Sequence, residues 1–242
     1  MTRLRIDQLL VAKGLFESRA KAQEAIAAGL VIANGKLVRK PSETLDDTAE
    51  ITASAPYPWV SRGGLKLVAA LDAFGFDPKN RTCLDVGSST GGFTHVLLDR
   101  GAARVYAIDV GHDQLHHSLR GDPRVESREG TDARRLSPQD FSPLPDLIVC
   151  DASFISLKLV LAASLALAPT GAELAALIKP QFEVGPNNVV KGIVKDKALA
   201  KTVCRDIEKW LNISGWQVVG QKPSPITGGD GNHEFLIGAV KL

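Results

Sequence analysis

The chain has 242 residues, of which 44% are hydrophobic and 23% are charged, and its net charge is +2. This length allows one large domain, or a large domain with a small one, and a core that needs no disulfide bonds. The longest mainly apolar segment, 159–168, is well short of the roughly 18 residues of a membrane span, so the composition excludes a spanning helix. Three cysteines, Cys83, Cys150 and Cys204, lie in or beside apolar runs and form no C-x-x-C pair. They predict buried reduced thiols in a cytoplasmic protein without a structural zinc site.

The basic residues are concentrated at the N-terminus. Residues 1–40 contain eight basic and three acidic side chains, and no apolar signal segment develops there. A small basic unit is a candidate nucleic-acid surface, although a solvated face explains the charge equally well at this point.

The first elements along the chain predict a small α+β domain. Ser18 is a good N-cap for a helix, and Asn34-Gly35 is a strong hairpin turn. A stiff segment with two prolines follows, so we expect a domain over 1–54, a linker over 55–60 and a second domain over 61–242. The predicted helices are 6–13 and 19–28, and the predicted strands are 30–33, 36–38 and 50–52.

The second domain alternates strands and helices, which predicts an α/β fold with a mostly parallel, doubly wound sheet. Only a loop separates the last two strands, so the final strand is expected to be antiparallel. This is the layout of the Rossmann-like S-adenosylmethionine-dependent methyltransferase fold. The predicted strands are 82–86, 104–108, 124–127, 147–150, 173–179, 216–219 and 234–240. The first predicted helix of this domain ends at Phe74, and the others are 92–100, 114–119, 156–167 and 197–213.

A glycine-rich turn follows the first of these strands, in the stretch 83–94. Its spacing differs from a dinucleotide fingerprint, because Asp85 precedes the first glycine, Gly87, by two residues. A carboxylate there disfavours a pyrophosphate and suits a ligand with an amino group, such as S-adenosylmethionine. Asp109 ends the next strand and is placed to accept from ribose hydroxyls. The alternative is a turn that merely joins a strand to a helix.

Four charged residues are expected at the ends of strands on the carboxyl side of the sheet: Asp109, Asp151, Lys179 and Glu234. A lysine that ends a strongly apolar strand, as Lys179 does, is hard to explain structurally. Lys66 alone would be interpreted as a surface lysine. A ribose hydroxyl must lose its proton during methyl transfer, and a lysine can serve as that base.

The sequence of the first domain resembles the RNA-binding module shared by a small-subunit ribosomal protein, many pseudouridine synthases and tyrosyl-tRNA synthetase. The matching residues are Ser18-Arg19-x-x-Ala22, Ile26-x-x-Gly29-x-Val31 and Asn34-Gly35-x-x-Val38. The resemblance implies RNA contacts at Arg3, Arg5, Arg19, Lys21, Lys36 and Lys40, to which we add Arg62 at the start of the second domain.

Together, Lys66, Asp151, Lys179 and Glu234 resemble the K-D-K-E set of FtsJ-like RNA 2′-O-methyltransferases. The RNA-binding module narrows the resemblance to TlyA-type haemolysin/rRNA methyltransferases. The stretches that carry it are 59–63, 89–94, 153–157 and 179–183. The family implies an enzyme that methylates a ribose 2′-hydroxyl, with a cytidine as the expected nucleotide, in ribosomal RNA within a ribosomal subunit. It makes no prediction of the oligomeric state.

That resemblance also implies the roles of individual residues. Lys179 would face the hydroxyl. Lys66 would favour the neutral form of Lys179 or hold the adjacent phosphate, and Asp151 and Glu234 would orient the two lysines. No metal is expected, although His112 and His116 lie one helical turn apart. The residues implied in S-adenosyl-L-methionine binding are Asp85, Gly87, Ser89, Thr90, Gly91, Gly92, Phe93, Asp109, Val110, Asp132 and Ala133.

Three alternatives remain open from the sequence. The stretch Asp151-Ala152-Ser153-Phe154 lies where base amino-methyltransferases carry their motif, but it lacks their two prolines. A membrane-active haemolysin would need a span or a strongly amphipathic apolar helix. A non-catalytic RNA-binding protein would not need all four charged positions.

Overall fold

The computed structural model describes residues 2–229 and 231–242. The chain forms two compact units, Met1–Pro58 and Trp59–Leu242. The division falls inside the segment 55–60, for which the sequence predicts a linker. Each unit has its own hydrophobic core.

The first unit is a small α+β domain. Leu9, Ala25 and Val31 belong to its core. Ser18 caps the second helix by accepting a hydrogen bond from the Lys21 amide at 3.3 Å. Asn34 and Gly35 both have positive φ, as the predicted hairpin turn requires. Its elements are β1 (Arg3–Arg5), α1 (Ile6–Ala12), α2 (Arg19–Ala27), β2 (Val31–Ala33), β3 (Lys36–Leu37), β4 (Thr44–Asp46) and β5 (Ile51–Ala53).

The strands of this unit form two small sheets. The three strands that the sequence predicts form a three-stranded sheet in the order β3-β2-β5, and β1 pairs with β4 in a second, two-stranded sheet. Strands β1 and β4 were not predicted from the sequence, because each has a single apolar residue between polar neighbours and so gives no strand signal.

The second unit is the predicted Rossmann-like α/β domain. Its seven strands are ordered β11-β12-β10-β9-β6-β7-β8. The neighbours from β10 to β8 are parallel, and β12 is antiparallel to both β10 and β11. Its elements are α3 (Gly63–Phe74), β6 (Thr82–Val86), α4 (Gly92–Asp99), β7 (Arg104–Ile108), α5 (His117–Arg120), β8 (Val125–Arg128), β9 (Leu147–Cys150), α6 (Leu157–Leu167), β10 (Glu173–Ile178), α7 (Lys197–Ile213), β11 (Trp216–Pro223) and β12 (Phe235–Lys241).

The helices cover both faces of this sheet, as expected for a mostly parallel sheet. On one face, Leu161 of α6 and Ile207 of α7 pack in a cluster that includes Ile148. On the other face, Leu67 of α3 and Leu97 of α4 share a cluster with Val149. Strand β9 therefore lies between two layers of helices. Its carboxyl end lies at the edge of the sheet where the parallel strands terminate.

Two element boundaries differ from the prediction for identifiable reasons. Helix α5 begins at His117 rather than Gln114, because the Glu129 carboxylate accepts hydrogen bonds from the amides of Asp113, Gln114 and Leu115. Those bonds hold the stretch as a loop. Strand β11 extends to Pro223, four residues beyond the predicted end, because its pairing with β12 resumes after a register shift between Val218 and Gly220.

Helix α3 approaches the sheet closely at Gly238 of β12. A Cβ atom at this position would lie 2.5 Å from Cγ of Phe74, the last residue of α3. The missing side chain therefore makes room for the helix that carries Lys66.

We expect Gly238→Ala to lower the free energy of unfolding by about 1–3 kcal/mol, the usual cost of an overpacked core. Gly121→Ala is the matched control, because nothing lies within 4 Å of a Cβ at that position and its φ is −91°. Urea denaturation of the two variants measures the difference. Equal stability would contradict the tight contact between α3 and the sheet.

Candidate active site

The functional side chains lie where parallel strands end. Strand β6 leads into the glycine turn, β7 leads to Asp109 and β9 leads to Asp151. Lys179 follows β10 directly and is the N-cap residue of a short 3-10 helix, Pro180–Phe182. Because β12 runs in the opposite direction, Glu234 before its first residue lies at the same edge.

Four charged side chains meet at this edge in alternating sign. The Lys66 ammonium lies 2.7 Å from Glu234 Oε2 and 3.3 Å from Asp151 Oδ2. The Lys179 ammonium lies 2.7 Å from Asp151 Oδ1. Both lysines and Glu234 are buried, whereas the Asp151 side chain is 19% exposed. The order Glu234–Lys66–Asp151–Lys179 gives each buried charge an opposite neighbour.

Lys179 has further partners. Its amine donates to the Asp151 carbonyl oxygen at 2.9 Å and to the Ser153 hydroxyl at 2.8 Å. Together with the Asp151 carboxylate, these acceptors fix the position of Nζ. Ser153 was not among the residues predicted to act in catalysis, although it lies in a stretch that carries the family resemblance.

Two adjacent cavities open beside this cluster. The first, of about 390 Å³, is called the charged cavity, and it is lined by all four charged residues together with Ser61, Arg62, Gly63, Gly87, Ser88, Ser89, Thr90, Gly92, Phe93, Ser153, Phe154, Gln181, Phe182 and Gly229. The second, of about 560 Å³, is called the aspartate cavity, and its lining includes Asp109, Val110, Asp132, Ala133 and Arg134. The cavities share Gly87, Ser89, Asp151, Ser153 and Phe154, so they meet at the ends of β6 and β9.

The predicted cofactor residues divide between these cavities. Thr90, Gly92 and Phe93 line the charged cavity, whereas Asp109, Val110, Asp132 and Ala133 line the aspartate cavity. Gly87 and Ser89 line both. Asp85 and Gly91 are not among the lining residues of either cavity.

Glycine is required at three positions of the turn, for a different structural reason at each. Gly87 has φ +79°, and a Cβ there would lie 2.8 Å from Cα of Ala152. At Gly92 a Cβ would lie 2.2 Å from Oγ of Ser61. Gly91 has φ +90° and packs against Leu119, so it serves the turn and the core rather than the cavity wall.

Asp109 is held by the backbone of two loops. Its Oδ2 accepts from the Ser89 amide at 2.8 Å, and its Oδ1 accepts from the Gly111 amide at 2.7 Å. Each carboxylate oxygen has a second lone pair, so both remain able to accept from ribose hydroxyls. The half-buried Asp109 thus fits the role that the sequence predicts for it.

Asp132 is engaged by a neighbouring guanidinium. Arg134 donates to its carboxylate at 2.7 Å, and this hydrogen bond lowers the pKa of Asp132 to about 2. The Arg134 amide also donates to Oδ1 at 3.0 Å, which caps the short helix Ala133–Arg135. The carboxylate is therefore ionised and oriented at the wall of the aspartate cavity.

Asp85 is buried completely under the glycine turn. It accepts from the Thr94 hydroxyl at 2.7 Å through Oδ2, and its Oδ1 has no hydrogen-bond partner in the described part of the chain. Burial raises the pKa of this carboxyl to about 7. An orphaned acceptor below a glycine turn, with Asp109 at the neighbouring strand end, fits a bound ligand that carries both an amino group and ribose hydroxyls.

Phe154 is the prominent residue that the predicted site lacks. Its side chain is 90% exposed, and its φ is +65°, in the left-handed region that large side chains avoid. Its ring lies 5.2 Å from the ring of Phe182, and both residues line the charged cavity. Both residues lie in stretches that carry the family resemblance, but neither was predicted as a site residue. An exposed ring in a strained backbone conformation is a candidate contact for a planar ligand.

The basic candidates of the first unit have different surroundings. Arg5 and Arg19 pair with the fully buried Asp7 at 3.0 and 2.9 Å. Gln23 donates to the same carboxylate at 2.8 Å. Hydrogen bonding from Arg5 in particular holds the pKa of Asp7 well below its usual range. The two arginines are consequently fixed in orientation while about half of each side chain remains exposed.

The other basic candidates are more loosely held. Lys21 pairs with Glu17 at 2.6 Å, and Arg3 donates to the Thr44 carbonyl at 3.0 Å. Lys36 and Lys40 are exposed. Arg62 belongs to the second unit, where it is the N-cap residue of α3 and lines the charged cavity.

The fold and the site define a class of protein. A mostly parallel sheet with a reversed last strand, a glycine turn after β6 and a carboxylate after β7 are the features of a Rossmann-like methyltransferase. A model of the FtsJ-like methyltransferase family matches residues 59–241, and a model of the S4 domain matches residues 4–51.

Individual relatives agree with these matches. The 16S/23S rRNA (cytidine-2′-O)-methyltransferase TlyA of Mycobacterium tuberculosis is 46% identical over 97% of this chain and 89% of its own length. The 23S rRNA (cytidine-2′-O)-methyltransferase TlyA of Campylobacter jejuni is 36% identical over 98% of this chain and 100% of its own. The solved structure of a proposed hemolysin from Streptococcus thermophilus is 42% identical, with a TM-score of 0.78, and covers 100% of this chain and 89% of its own.

The chain belongs to the TlyA/hemolysin family, in which an S4 RNA-binding domain precedes an FtsJ-like methyltransferase domain. Its cofactor is S-adenosyl-L-methionine. The prediction of family, fold class and cofactor from the sequence is confirmed. In the described part of the chain, no helix is both long enough and apolar enough to cross a bilayer.

The raised pKa of Asp85 predicts a pH-dependent stability. The folded protein holds a proton that the unfolded chain releases near pH 4, so the free energy of unfolding falls as the pH rises from about 4 to about 7. We expect Asp85→Asn to remove this dependence. Relative to the wild type, the variant should gain on the order of 2 kcal/mol between pH 5 and pH 8.

Urea denaturation at the two pH values, without cofactor, measures this change. The exposed Asp206→Asn variant is the control and should follow the wild type. A constant difference between wild type and Asp85→Asn at both pH values would show that burial does not hold the proton on Asp85.

Proposed function

We propose that this protein transfers a methyl group from S-adenosyl-L-methionine to the 2′-hydroxyl of a cytidine in ribosomal RNA within a ribosomal subunit. The observation that carries the proposal is the buried Glu234–Lys66–Asp151–Lys179 chain, which opens into a cavity beside the aspartate cavity. The names of the Mycobacterium tuberculosis and Campylobacter jejuni relatives support the substrate. Such a substrate implies a cytoplasmic protein, and the three buried free cysteines are compatible with that location.

The aspartate cavity would hold the nucleoside part of the cofactor. Asp109 would accept from the ribose hydroxyls, and Asp132 and Ala133 would contact the adenine. The glycine turn would bind the methionine part, with Asp85 beneath it. When bound, the cofactor supplies an electrophilic methyl group on a sulfonium.

The charged cavity would hold the ribose that accepts the methyl group. An oxygen–carbon bond would form there as the carbon–sulfur bond of the donor breaks, so the hydroxyl proton would have to leave the oxygen. Lys179 in its neutral form would accept this proton, since its amine is fixed at the cavity wall by Asp151 and Ser153. The ammonium that results would be stabilised by the Asp151 carboxylate 2.7 Å away.

Lys66 and Glu234 would position this base rather than replace it. The Lys66 ammonium contacts both carboxylates, so it holds Asp151 in place between the two lysines. Glu234 balances the charge of Lys66 in a buried setting, where an unpaired ammonium would be costly. Lys66 also lines the charged cavity, where an RNA phosphate could bind.

A transfer assay tests the proposal. The protein is incubated with tritiated S-adenosylmethionine and with ribosomal subunits from a strain that lacks it, and the labelled nucleotide is located. We expect label in a 2′-O-methylated cytidine. Lys179→Ala should lower kcat by about 10²–10⁴-fold, the usual contribution of a general base, while the Kd for S-adenosylmethionine changes little.

Lys158→Ala is the control, because this lysine of α6 is not among the residues that line either cavity. Label on a base would favour an amino-methyltransferase. Full activity of Lys179→Ala would exclude Lys179 as the base. Absence of transfer to both subunits, with donor binding intact, would contradict the proposed substrate.

Because the ring of Phe154 is exposed, we expect its removal to weaken RNA binding without destabilising the fold. We propose that it stacks on a base of the substrate, a contact typically worth ~1–3 kcal/mol or roughly 5- to 150-fold in affinity. Phe154→Gly should weaken RNA binding by this factor. It should also keep or raise the Tm, since glycine adopts a φ of +65° without strain.

Phe154→Tyr retains an aromatic ring and is the control for affinity. Thermal melts and RNA titrations of the three proteins make the comparison. If Phe154→Gly lowers the Tm and leaves RNA affinity unchanged, the ring serves the fold and not the substrate.

A further inference from the structure

A third cavity, of about 710 Å³, lies next to the charged cavity. The two share Glu234, and Pro180 of the third cavity follows Lys179 of the first. The loop between β11 and β12 separates them, because Gly229 lines the charged cavity whereas 224–227 line the third. We call the third cavity the lysine groove. Its lining residues are Pro180, 193–197, Ala200, Lys201, 223–227, Gly231, His233, Glu234 and Phe235.

The walls of the lysine groove are tied together by a buried amide. Asn232 is 2% exposed, and its Oδ1 accepts from the Val194 amide at 3.1 Å. Its Nδ2 donates to the Gly192 carbonyl at 2.7 Å. These bonds join the segment before α7 to the segment before β12, so the shape of the groove is part of the fold.

The groove is basic. Lys195, Lys197, Lys201 and His233 line it, and all four are exposed. Its two acidic residues are already engaged, because Asp196 caps α7 at the Ala198 amide and Glu234 pairs with Lys66. Within the residues that the structure describes, no carboxylate lies at ion-pair distance from the three lysine ammonium groups.

The basic residues continue along one face of α7. Lys197, Lys201 and Arg205 are spaced by four residues, so they lie on one side of the helix, about 6 Å apart along its axis. A smaller cavity shares Lys201 and Phe235 with the lysine groove and adds Arg205. A row of cations alone would be an ordinary solvated face. Here it borders a groove that shares the buried Glu234 with the charged cavity.

The other wall of the groove is apolar. Ile193, Ile226 and Phe235 line it and are all half-buried, and prolines 223 and 225 flank them. Cations on one side and apolar surface on the other suit a polymer with a charged backbone and flat uncharged bases. A single-stranded nucleic acid has this chemistry, since its phosphates follow basic grooves while its bases contact apolar side chains.

We propose that the lysine groove binds the RNA strand that flanks the methylated nucleotide. Lys197, Lys201 and Arg205 contact successive phosphates, and the apolar wall contacts a neighbouring base or ribose. This inference rests on the proposed function, because it assigns the groove to the same substrate. It places the flanking strand on α7, on the side of Glu234 away from the glycine turn.

The test compares two double variants of the full-length protein, each lacking two positive charges. Lys197→Gln with Lys201→Gln alters the groove. Lys79→Gln with Lys158→Gln is the control, because neither of these lysines is among those that line the three cavities. The probe is an unmodified 23S rRNA transcript, and its Kd is measured by titration at several salt concentrations. S-adenosylmethionine binding and single-turnover methyl transfer at saturating RNA are measured in parallel.

We expect the groove variant to bind the transcript about 10- to 100-fold more weakly than the control variant at low salt. Its slope of log Kd against log salt should decrease by about 1.4, since each single-strand phosphate contact contributes about 0.7. Donor binding and the single-turnover rate should remain within about twofold of the wild type. Adding Arg205→Gln should lower the slope further.

The outcomes separate this inference from the proposed function. Methyl transfer by the wild-type protein tests the function, whereas the ratio of Kd values between the two variants tests the groove. Equal Kd values and equal salt slopes would overturn the groove assignment even if methylation is normal. A groove variant that loses donor binding or melts at a lower Tm would also overturn it, because the lysines would then be structural.

Discussion

The active site depends on the position of the Asp151 carboxylate between two ammonium groups. Two buried lysines would repel each other, and neither is compatible with a low-dielectric setting on its own. Asp151 contacts both, and Glu234 is the second carboxylate that contacts Lys66. Breaking a buried ion pair by removing one partner typically costs about 3–5 kcal/mol. The four groups are thus mutually dependent, and the charge arrangement that serves the chemistry is also part of the fold.

The sheet topology makes this arrangement possible. Asp151 and Lys179 follow adjacent parallel strands, so they reach the same edge without special loops. Glu234 precedes a strand instead of following one, and it reaches that edge only because β12 is antiparallel. Lys66 comes from a helix whose close approach to the sheet depends on Gly238. Residues that are far apart in the sequence therefore meet within hydrogen-bonding distance.

Much of this architecture follows from local sequence patterns. The bounds of β6, β7, β9 and α7 are those that the sequence predicts, because long buried strands and capped helices give strong signals. Tertiary contacts overrode the pattern elsewhere: the Glu129 carboxylate replaced the first turn of the predicted α5 with a loop. Asp151, Lys179 and Glu234 were found because charge at the end of an apolar strand is conspicuous, whereas Lys66 of α3 was included only through the family resemblance.

Other properties of the site required coordinates. The sequence shows Asp85 and Asp109 as two similar carboxylates near a glycine turn, yet one is fully buried and the other is held at a cavity wall by backbone amides. Arg5 and Arg19 look like free cations in the sequence, but a buried aspartate orients both. The left-handed backbone of Phe154 also has no sequence signal, because only glycine and asparagine commonly announce that conformation.

The contact between Gly92 and Ser61 has a consequence for how such a site can diverge. A side chain at position 92 would displace the Ser61 hydroxyl, because a Cβ atom there would lie 2.2 Å from Oγ of Ser61. The turn beneath the methyl donor and the segment that leads into α3 are therefore pressed directly against each other. If the segment before α3 changed during evolution to accept another RNA, residue 61 would still have to be small, because it contacts the glycine turn at Gly92. Changes in RNA specificity at this segment are therefore limited by the need to preserve the glycine turn for the methyl donor.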